Sequence, residues 1–198
     1  MPIALAVPAL VAAIAVTFSA GHTVTFGFFV FAGFALLTAV AAVIGAALLP
    51  SGAQRTAAVL KCVVTVIGGV AALTIPAVLG AEPVAGAAAL AFTVAGTLAL
   101  IGAIDLVVGI RQRRADRFGR DWLATGVIEL LGALAVLAVP PTFYQAFSFT
   151  EKTGELVSGS LTSSTMIVGI FGAFAAILGV FLAIAGVGLV PQRRRATA

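Results

Sequence analysis

Charged residues are scarce in this sequence of 198 residues, at 9% against about 25% in an average soluble domain. A soluble protein of this size could not cover its surface with so few charges, so a soluble globular domain is excluded. Intrinsic disorder, which requires low hydrophobicity and high charge, is excluded as well. Apolar residues make up 62% of the chain and the mean hydropathy is +1.22, which indicates that the lipid bilayer is its solvent and main partner.

Cysteine and histidine are almost absent. Cys62 alone cannot form an intrachain disulfide, and one Cys with one His cannot build a zinc-type cluster. We expect Cys62 to be a small packing residue, with a lipidated juxtamembrane cysteine as the alternative. No Walker loop, HExxH, GxSxG or plausibly spaced Ser/His/Asp set occurs. The sequence therefore predicts no enzyme activity, no catalytic residue, no metal site and no cofactor.

Six apolar runs predict membrane-spanning helices, each of which needs about 20 residues. The first run is short and contains Pro8, so a cleaved signal peptide is the alternative. No Lys or Arg precedes that run and no good cleavage site follows it, which favours a retained helix. The expected fold is a single all-α, polytopic membrane domain over 1–198, with a basic tail at 191–198. The predicted spans are roughly 3–19, 24–49, 57–79, 84–110, 122–139 and 164–190.

The basic residues concentrate on one side of these spans, and the other side has only Lys152. The positive-inside rule therefore predicts that both termini are cytoplasmic. An even number of spans is required for this, and six satisfies it. The net charge of +4 arises from short clusters between apolar runs, so we expect no nucleic-acid partner.

The sequence also repeats itself. A shift of 64 residues lays 68–76 on 132–140, and both segments have glycine, seven small or apolar residues and then proline. More loosely, two later spans each contain a pair of glycines seven residues apart, Gly102 with Gly109 and Gly179 with Gly186. The repeat predicts three two-helix hairpins running in the same direction, with the first copy degenerate. The hairpins cover about 3–49, 57–110 and 122–190.

Six spans, cytoplasmic termini, glycine-rich hairpins ending in an outer proline and arginine-rich inner loops resemble the HdeD family of bacterial inner-membrane proteins. The resemblance covers roughly 57–195, and 1–56 by topology. It implies a non-enzymatic, multi-pass protein of the bacterial plasma membrane, connected with stress or acid resistance. It assigns no catalytic or ligand-binding residue.

Three ionisable residues lie inside the predicted spans at similar depth: Lys61, Asp105 and Glu129. Charged side chains in a bilayer usually face the bundle interior and pair, so these three are the candidate buried charge cluster. Two interpretations are open, a proton-responsive cluster and a structural ion pair with Lys61 reaching the interface. The alternative function is a small transporter or channel that uses this cluster as its coupling site. The outer halves of the spans contain few polar residues, which favours the HdeD-like function.

Three other features of the sequence also lead to expectations. The segment 140–163 is the longest outer loop, and its aromatic residues predict an interfacial segment, with a ligand lid as the alternative. Alanines recurring every four residues from Ala87 to Ala103, and a similar set at 175–183, predict helix packing. Part of such a stripe would suit a homo-oligomer. His22 is expected in an outer loop, where it is either solvated or sensitive to acid.

Overall fold

The computed structural model describes residues 2–49, 52–79, 82–112, 117–152, 154 and 156–188. Over these residues the chain forms six helices and one two-stranded antiparallel sheet. The predicted basic tail at 191–198 lies outside the described residues. The elements are α1 (Pro2–Thr17), α2 (Val24–Leu48), α3 (Ala53–Leu79), α4 (Pro83–Gln112), α5 (Arg117–Leu137), β1 (Tyr144–Thr150), β2 (Leu156–Thr162) and α6 (Ser163–Val187).

A helix lies at each of the six predicted positions, and the prediction of a mainly helical membrane protein is confirmed. Four of the helices, α2, α3, α4 and α6, are long and apolar enough to cross a membrane. Each has at least 25 residues, or about 37 Å at 1.5 Å per residue, against a hydrocarbon core of about 30 Å. The helix α1 is apolar but has only 16 residues, and α5 begins with charged residues.

Two helices begin at a threonine cap where the chain turns back into the bundle. The hydroxyl of Thr23 accepts a hydrogen bond from the Phe26 backbone N–H at 3.2 Å at the start of α2. Thr162 does the same for the Thr165 N–H at 3.3 Å at the start of α6. Each cap satisfies a backbone donor that the first helical turn leaves without a partner.

The helices form a closed ring, in which each packs against its neighbours in sequence and α1 packs against α6. The most extensive contacts join α2 with α3, α4 with α5 and α1 with α6. Within this ring, α2, α4 and α6 also contact one another across the middle of the bundle. These three helices therefore lie closer to the bundle axis, and α1, α3 and α5 lie towards the outside. Burial agrees with this arrangement. In the apolar 18-residue stretches of α2, α4 and α6, 50–56% of the residues are buried, whereas in that of α3 only 22% are buried.

The two ends of the bundle differ in charge. We call the end where α3 and α5 begin and α2, α4 and α6 finish the basic end, because Arg55, Arg111 and Arg120 are exposed there. The opposite end carries β1 and β2 and is called the hairpin end. At the basic end the side-chain amide of Gln54 donates to Gln112 at 2.5 Å, which joins α3 to α4.

Phenylalanines fill the middle of the core between α2 and α6. Their rings lie 5.4–6.5 Å apart between centroids, and most pairs are edge to face, a favoured aromatic geometry. Towards the hairpin end the core continues with large apolar side chains from the three central helices. The four phenylalanines are Phe31, Phe34, Phe171 and Phe174.

Glycines let α4 approach α5 and let α6 approach α1. A Cβ on Gly109 would lie 2.6 Å from the Leu123 Cα, so these two backbones are in direct contact. A Cβ on Gly186 would lie 3.0 Å from the Ile3 backbone nitrogen. Small residues are needed for such contact in lipid, where there is no hydrophobic force between helices.

The alanine stripe on α4 packs over only part of its length, which corrects the expectation. Ala87, Ala91 and Ala95 are buried, Ala99 is half-buried and Ala103 is exposed. The reason is geometric: four residues advance a helix by about 40° beyond a full turn, so the stripe rotates out of the interface. A spacing of seven residues returns almost to the same face, which is why the glycine pairs stay in contact.

The segment between α5 and α6 differs from the loop that the sequence predicts, because it contains the β1–β2 hairpin. Phe147 pairs with Gly159, and the register runs from Tyr144–Thr162 to Thr150–Leu156. Alternating aromatic and small polar residues suit a strand. The backbone N–H of Ser163 donates to the Phe143 carbonyl at 2.9 Å, which fixes the base of the hairpin at the start of α6.

Candidate functional site

The structure brings Lys61, Asp105 and Glu129 together, on α3, α4 and α5 respectively. We call these three residues the charge cluster. The Lys61 ammonium donates a hydrogen bond to Asp105 Oδ2, and its Nζ lies 3.6 Å from Glu129 Oε1. All three residues are 2–3% exposed, so the cluster is enclosed by protein. Buried charges of this kind are stable only when they are paired.

Local sequence places each of the three side chains inside. Lys61 follows Ala57 and Ala58 on the buried face of α3 at helical spacing. Asp105 lies between the two glycines of α4 that contact α5. A Cβ on Gly102 would lie only 3.1 Å from the Glu129 Cβ, so the close approach of α4 and α5 brings both carboxyl groups to the same lysine.

Aromatic and hydroxyl side chains surround the Lys61 ammonium and its helix. The Lys61 Nζ lies 5.7 Å from the centroid of the Trp122 ring, within range of a cation–π contact. The Thr65 hydroxyl donates to the Lys61 carbonyl at 2.8 Å, and the Thr125 hydroxyl donates to the Asp121 carbonyl at 2.8 Å. Both hydroxyl groups donate to backbone carbonyls of their own helices, so the hydrogen-bond partner of the Lys61 ammonium is a carboxyl group.

A small cavity adjoins the charge cluster. Its volume is about 10 Å³ for the centre of a water-sized sphere, at the lower limit for one water molecule. Three buried side-chain oxygens among the described residues have no hydrogen-bond partner: Thr38 Oγ1, Asp105 Oδ1 and Glu129 Oε2. Thr38 and Glu129 both line the cavity. The other lining residues are Leu5, Phe34, Lys61, Thr125, Leu178 and Leu182.

Buried polar residues are concentrated around this cavity. Across the described ranges, the buried polar residues that neither line the cavity nor belong or bond to the charge cluster are Thr97 and Ser163. The Thr97 hydroxyl donates within its own helix, to the Thr93 carbonyl at 2.8 Å. The site is therefore a small cavity lined by four polar and four apolar side chains, with room for a proton and about one water but not for an organic substrate.

Sequence reasoning found the three charges but missed Thr38, Trp122 and Thr125. Trp122 and Thr125 lie seven and four residues before Glu129, so helical periodicity around the glutamate could have found them. Thr38 lies on a different helix with no charged neighbour in sequence, so the sequence contains no signal for its position.

The other sequence candidates lie away from the cluster or have structural partners. His22 Nε2 lies 3.0 Å from the Val16 carbonyl and its ring meets Phe26 edge-on, so it is tied to the end of α1. Cys62 is a half-buried free thiol beside Lys61. Within the described part of the chain, no group of three His, Cys, Asp or Glu residues is arranged to hold a metal.

Comparisons with known proteins leave the family open. No family model, no curated protein and no solved structure matches the chain.

Proposed function

We propose that this chain is a non-enzymatic integral membrane protein that resembles the HdeD family and acts in resistance to acid stress. In this proposal six helices span the bacterial plasma membrane as three two-helix repeats, and both termini are cytoplasmic. The glycine-rich hairpins and the arginine-rich segments support the resemblance, and the exposed arginines at the basic end support the orientation.

The position of α1 and α5 in the ring supports six spans. The helix α1 runs antiparallel to α6, because Gly186 meets Ile3 at one end and Gly172 meets Val16 at the other. The helix α5 lies beside α4 in the same way. Both neighbours, α4 and α6, are long and apolar enough to span a membrane, so helices packed along them would cross most of its thickness.

Matching glycine contacts support the repeat. Gly102 and Gly109 on α4 meet Leu130 and Leu123 on α5, and the two leucines are seven residues apart. On α6, Gly179 and Gly186 meet another pair seven residues apart on α1, Leu10 and Ile3. The same contact is thus made twice around the ring, which is the pattern that repeated hairpins produce.

The observation that carries the functional proposal is the enclosed charge cluster. Two carboxyl groups share one ammonium inside an apolar bundle, so the charge of the core depends on the proton concentration. A transporter or channel needs a polar route through the bundle. The core between the cluster and the hairpin end is instead filled by phenylalanine, leucine, valine and alanine side chains, which favours an acid-related role over transport.

Survival at low pH tests this function. A deletion strain should lose survival in acid, and the wild-type gene should restore it, whereas Asp105→Asn and Glu129→Gln should restore it incompletely. Glu82→Gln changes an exposed carboxyl group at the hairpin end and should restore survival fully. A deletion strain that survives acid as well as its parent would overturn the proposed function.

A further inference from the structure

We propose that the charge cluster is a binding site for one proton, carried by Glu129 at neutral pH and linked to the Thr38 hydroxyl across the small cavity by one water molecule. This inference deepens the proposed function by naming the ligand of the site. It concerns the purified protein, so its test is separate from that of acid survival.

Charge balance is the first argument. The cluster contains one ammonium and two carboxyl groups, so it carries a net negative charge when all three are ionised. An uncompensated charge in a low-dielectric interior costs several kcal/mol, and such a group usually becomes neutral instead. One bound proton makes the cluster neutral.

The contacts that Glu129 receives are the second argument. The charged groups facing its carboxyl are Lys61 from α3 and Asp105 from α4, which shares that lysine, and the cavity-lining neighbours from α1, α2 and α6 are uncharged. Asp105 accepts the direct hydrogen bond from the Lys61 ammonium, which favours its ionised form. Glu129 Oε1 lies 3.6 Å from the same nitrogen, beyond hydrogen-bond distance. Glu129 is therefore the member of the pair that can take the proton at least cost.

The unpartnered oxygens around the cavity are the third argument. Glu129 Oε2 and Thr38 Oγ1 are both buried without a partner, and both residues line the same cavity. A buried polar atom without a hydrogen bond is costly, and a water molecule that contacts both oxygens supplies the missing bonds. The O–H of a protonated Glu129 donates a hydrogen bond to the water, and the water donates one to the Thr38 hydroxyl oxygen.

Infrared spectroscopy of the purified protein tests the inference, because a protonated carboxyl group has a carbonyl stretch that an ionised carboxylate lacks. At neutral pH the wild type should show one such band that Glu129→Gln removes. Asp105→Asn should also remove it, because Glu129 then becomes the sole carboxyl partner of Lys61 and ionises. Glu129→Gln mimics the protonated acid, so this variant should keep the thermal stability of the wild type at neutral pH.

Thr38→Val tests the link across the cavity. Loss of the hydroxyl weakens the hydrogen bond to the protonated carboxyl group, so the band should move to higher wavenumber. Thr97→Val is the matched control, since Thr97 is also buried on a central helix but bonds within that helix. It should leave the band in place.

Three results would overturn the inference. A wild type without a protonated carboxyl band at neutral pH would show that no proton is bound. A band that survives Glu129→Gln and disappears in Asp105→Asn would place the proton on Asp105. Equal band positions in Thr38→Val and the wild type would remove the link to Thr38. A band with the predicted behaviour in a protein that has no effect on acid survival would leave the proton site intact and refute only the proposed function.

Discussion

Replacing Gly109 by alanine should separate α4 from α5, and the structure allows the cost to be worked out. The new Cβ would lie 2.6 Å from the Leu123 Cα, where an ordinary van der Waals contact needs 3.4 Å or more. The obstructing atom belongs to the backbone, so no side chain can rotate away and the two helices must move apart. Overpacking of this kind costs about 1–3 kcal/mol.

Gly96 on the same helix provides the matched control. A Cβ there would meet nothing within 4 Å, so Gly96→Ala should cost no packing and gain up to about 0.5–1 kcal/mol of helix stability. The gain in helix stability is common to both variants, so they should differ in free energy of unfolding by the packing cost at Gly109 alone, about 1–3 kcal/mol. They carry the same chemical change in the same helix, so intrinsic helix propensity cannot explain a difference between them.

The assay is thermal unfolding of the purified wild type and both variants in one detergent. We expect Gly109→Ala to unfold at a clearly lower temperature than the wild type, and Gly96→Ala to unfold at or slightly above the wild-type temperature. Equal unfolding temperatures for the two variants would show that the backbones of α4 and α5 are not in contact at this glycine, and the reasoning about glycine-mediated packing would be refuted.

Three further predictions concern the cluster, the alanine stripe and the topology. Lys61→Met should destabilise the protein by about 3–5 kcal/mol at neutral pH, because Asp105 then carries a buried charge without a partner. The loss should be smaller at low pH, where Asp105 takes up a proton, and neutralising both carboxyl groups in the same variant should restore much of the stability. Thermal melts at two pH values measure this, and a loss independent of pH would contradict it. Ala95→Leu should lower the unfolding temperature by overpacking whereas Ala103→Leu, at an exposed position, should not, and equal effects would refute the burial of the stripe. Reporter fusions after Gln112 should indicate cytoplasm and fusions at Glu82 the outside, and the reverse result would overturn the proposed orientation.

The positions of the helices could be predicted because hydropathy detects the apolar part of each helix. Where the structure differs, the difference has a physical cause. The helix α3 begins at Ala53 and α5 at Arg117, four and five residues before their apolar runs. Polar residues such as Gln54 and Arg120 continue the helix beyond the apolar stretch, and hydropathy does not register that part.

The packing of the helices could be predicted only in part. Sequence repetition predicts hairpins, but the most extensive contacts join helices of different hairpins, such as α2 with α3. Closure of the ring between α1 and α6 depends on the shape of both surfaces, which no single segment encodes. The β1–β2 hairpin was missed for another reason, since its short alternating pattern lies between two strong helix signals.

The charge cluster could be predicted because a charge inside a bilayer needs a partner at its own depth. The distance of each charged residue from the end of its helix was enough to identify the partners. Thr38 could not, because a threonine on an apolar helix carries no such requirement. Its importance follows only from the cavity that it shares with Glu129.

Under the proposed repeat, the arrangement of the cavity argues for binding rather than permeation. The 64-residue shift makes Lys61 equivalent to Thr125, and the matching glycine contacts on α1 and α5 make Thr125 equivalent to Leu5. All three residues line the same cavity, so it lies where the three hairpins converge. A pore along that axis would need polar residues at each equivalent position and at successive depths. Here the equivalent positions hold one charge, one hydroxyl and one apolar side chain, and the adjoining layer contains four phenylalanines. Among the described residues buried charge is thus confined to one site at one depth, which suits an enclosed proton and does not suit a path for solutes.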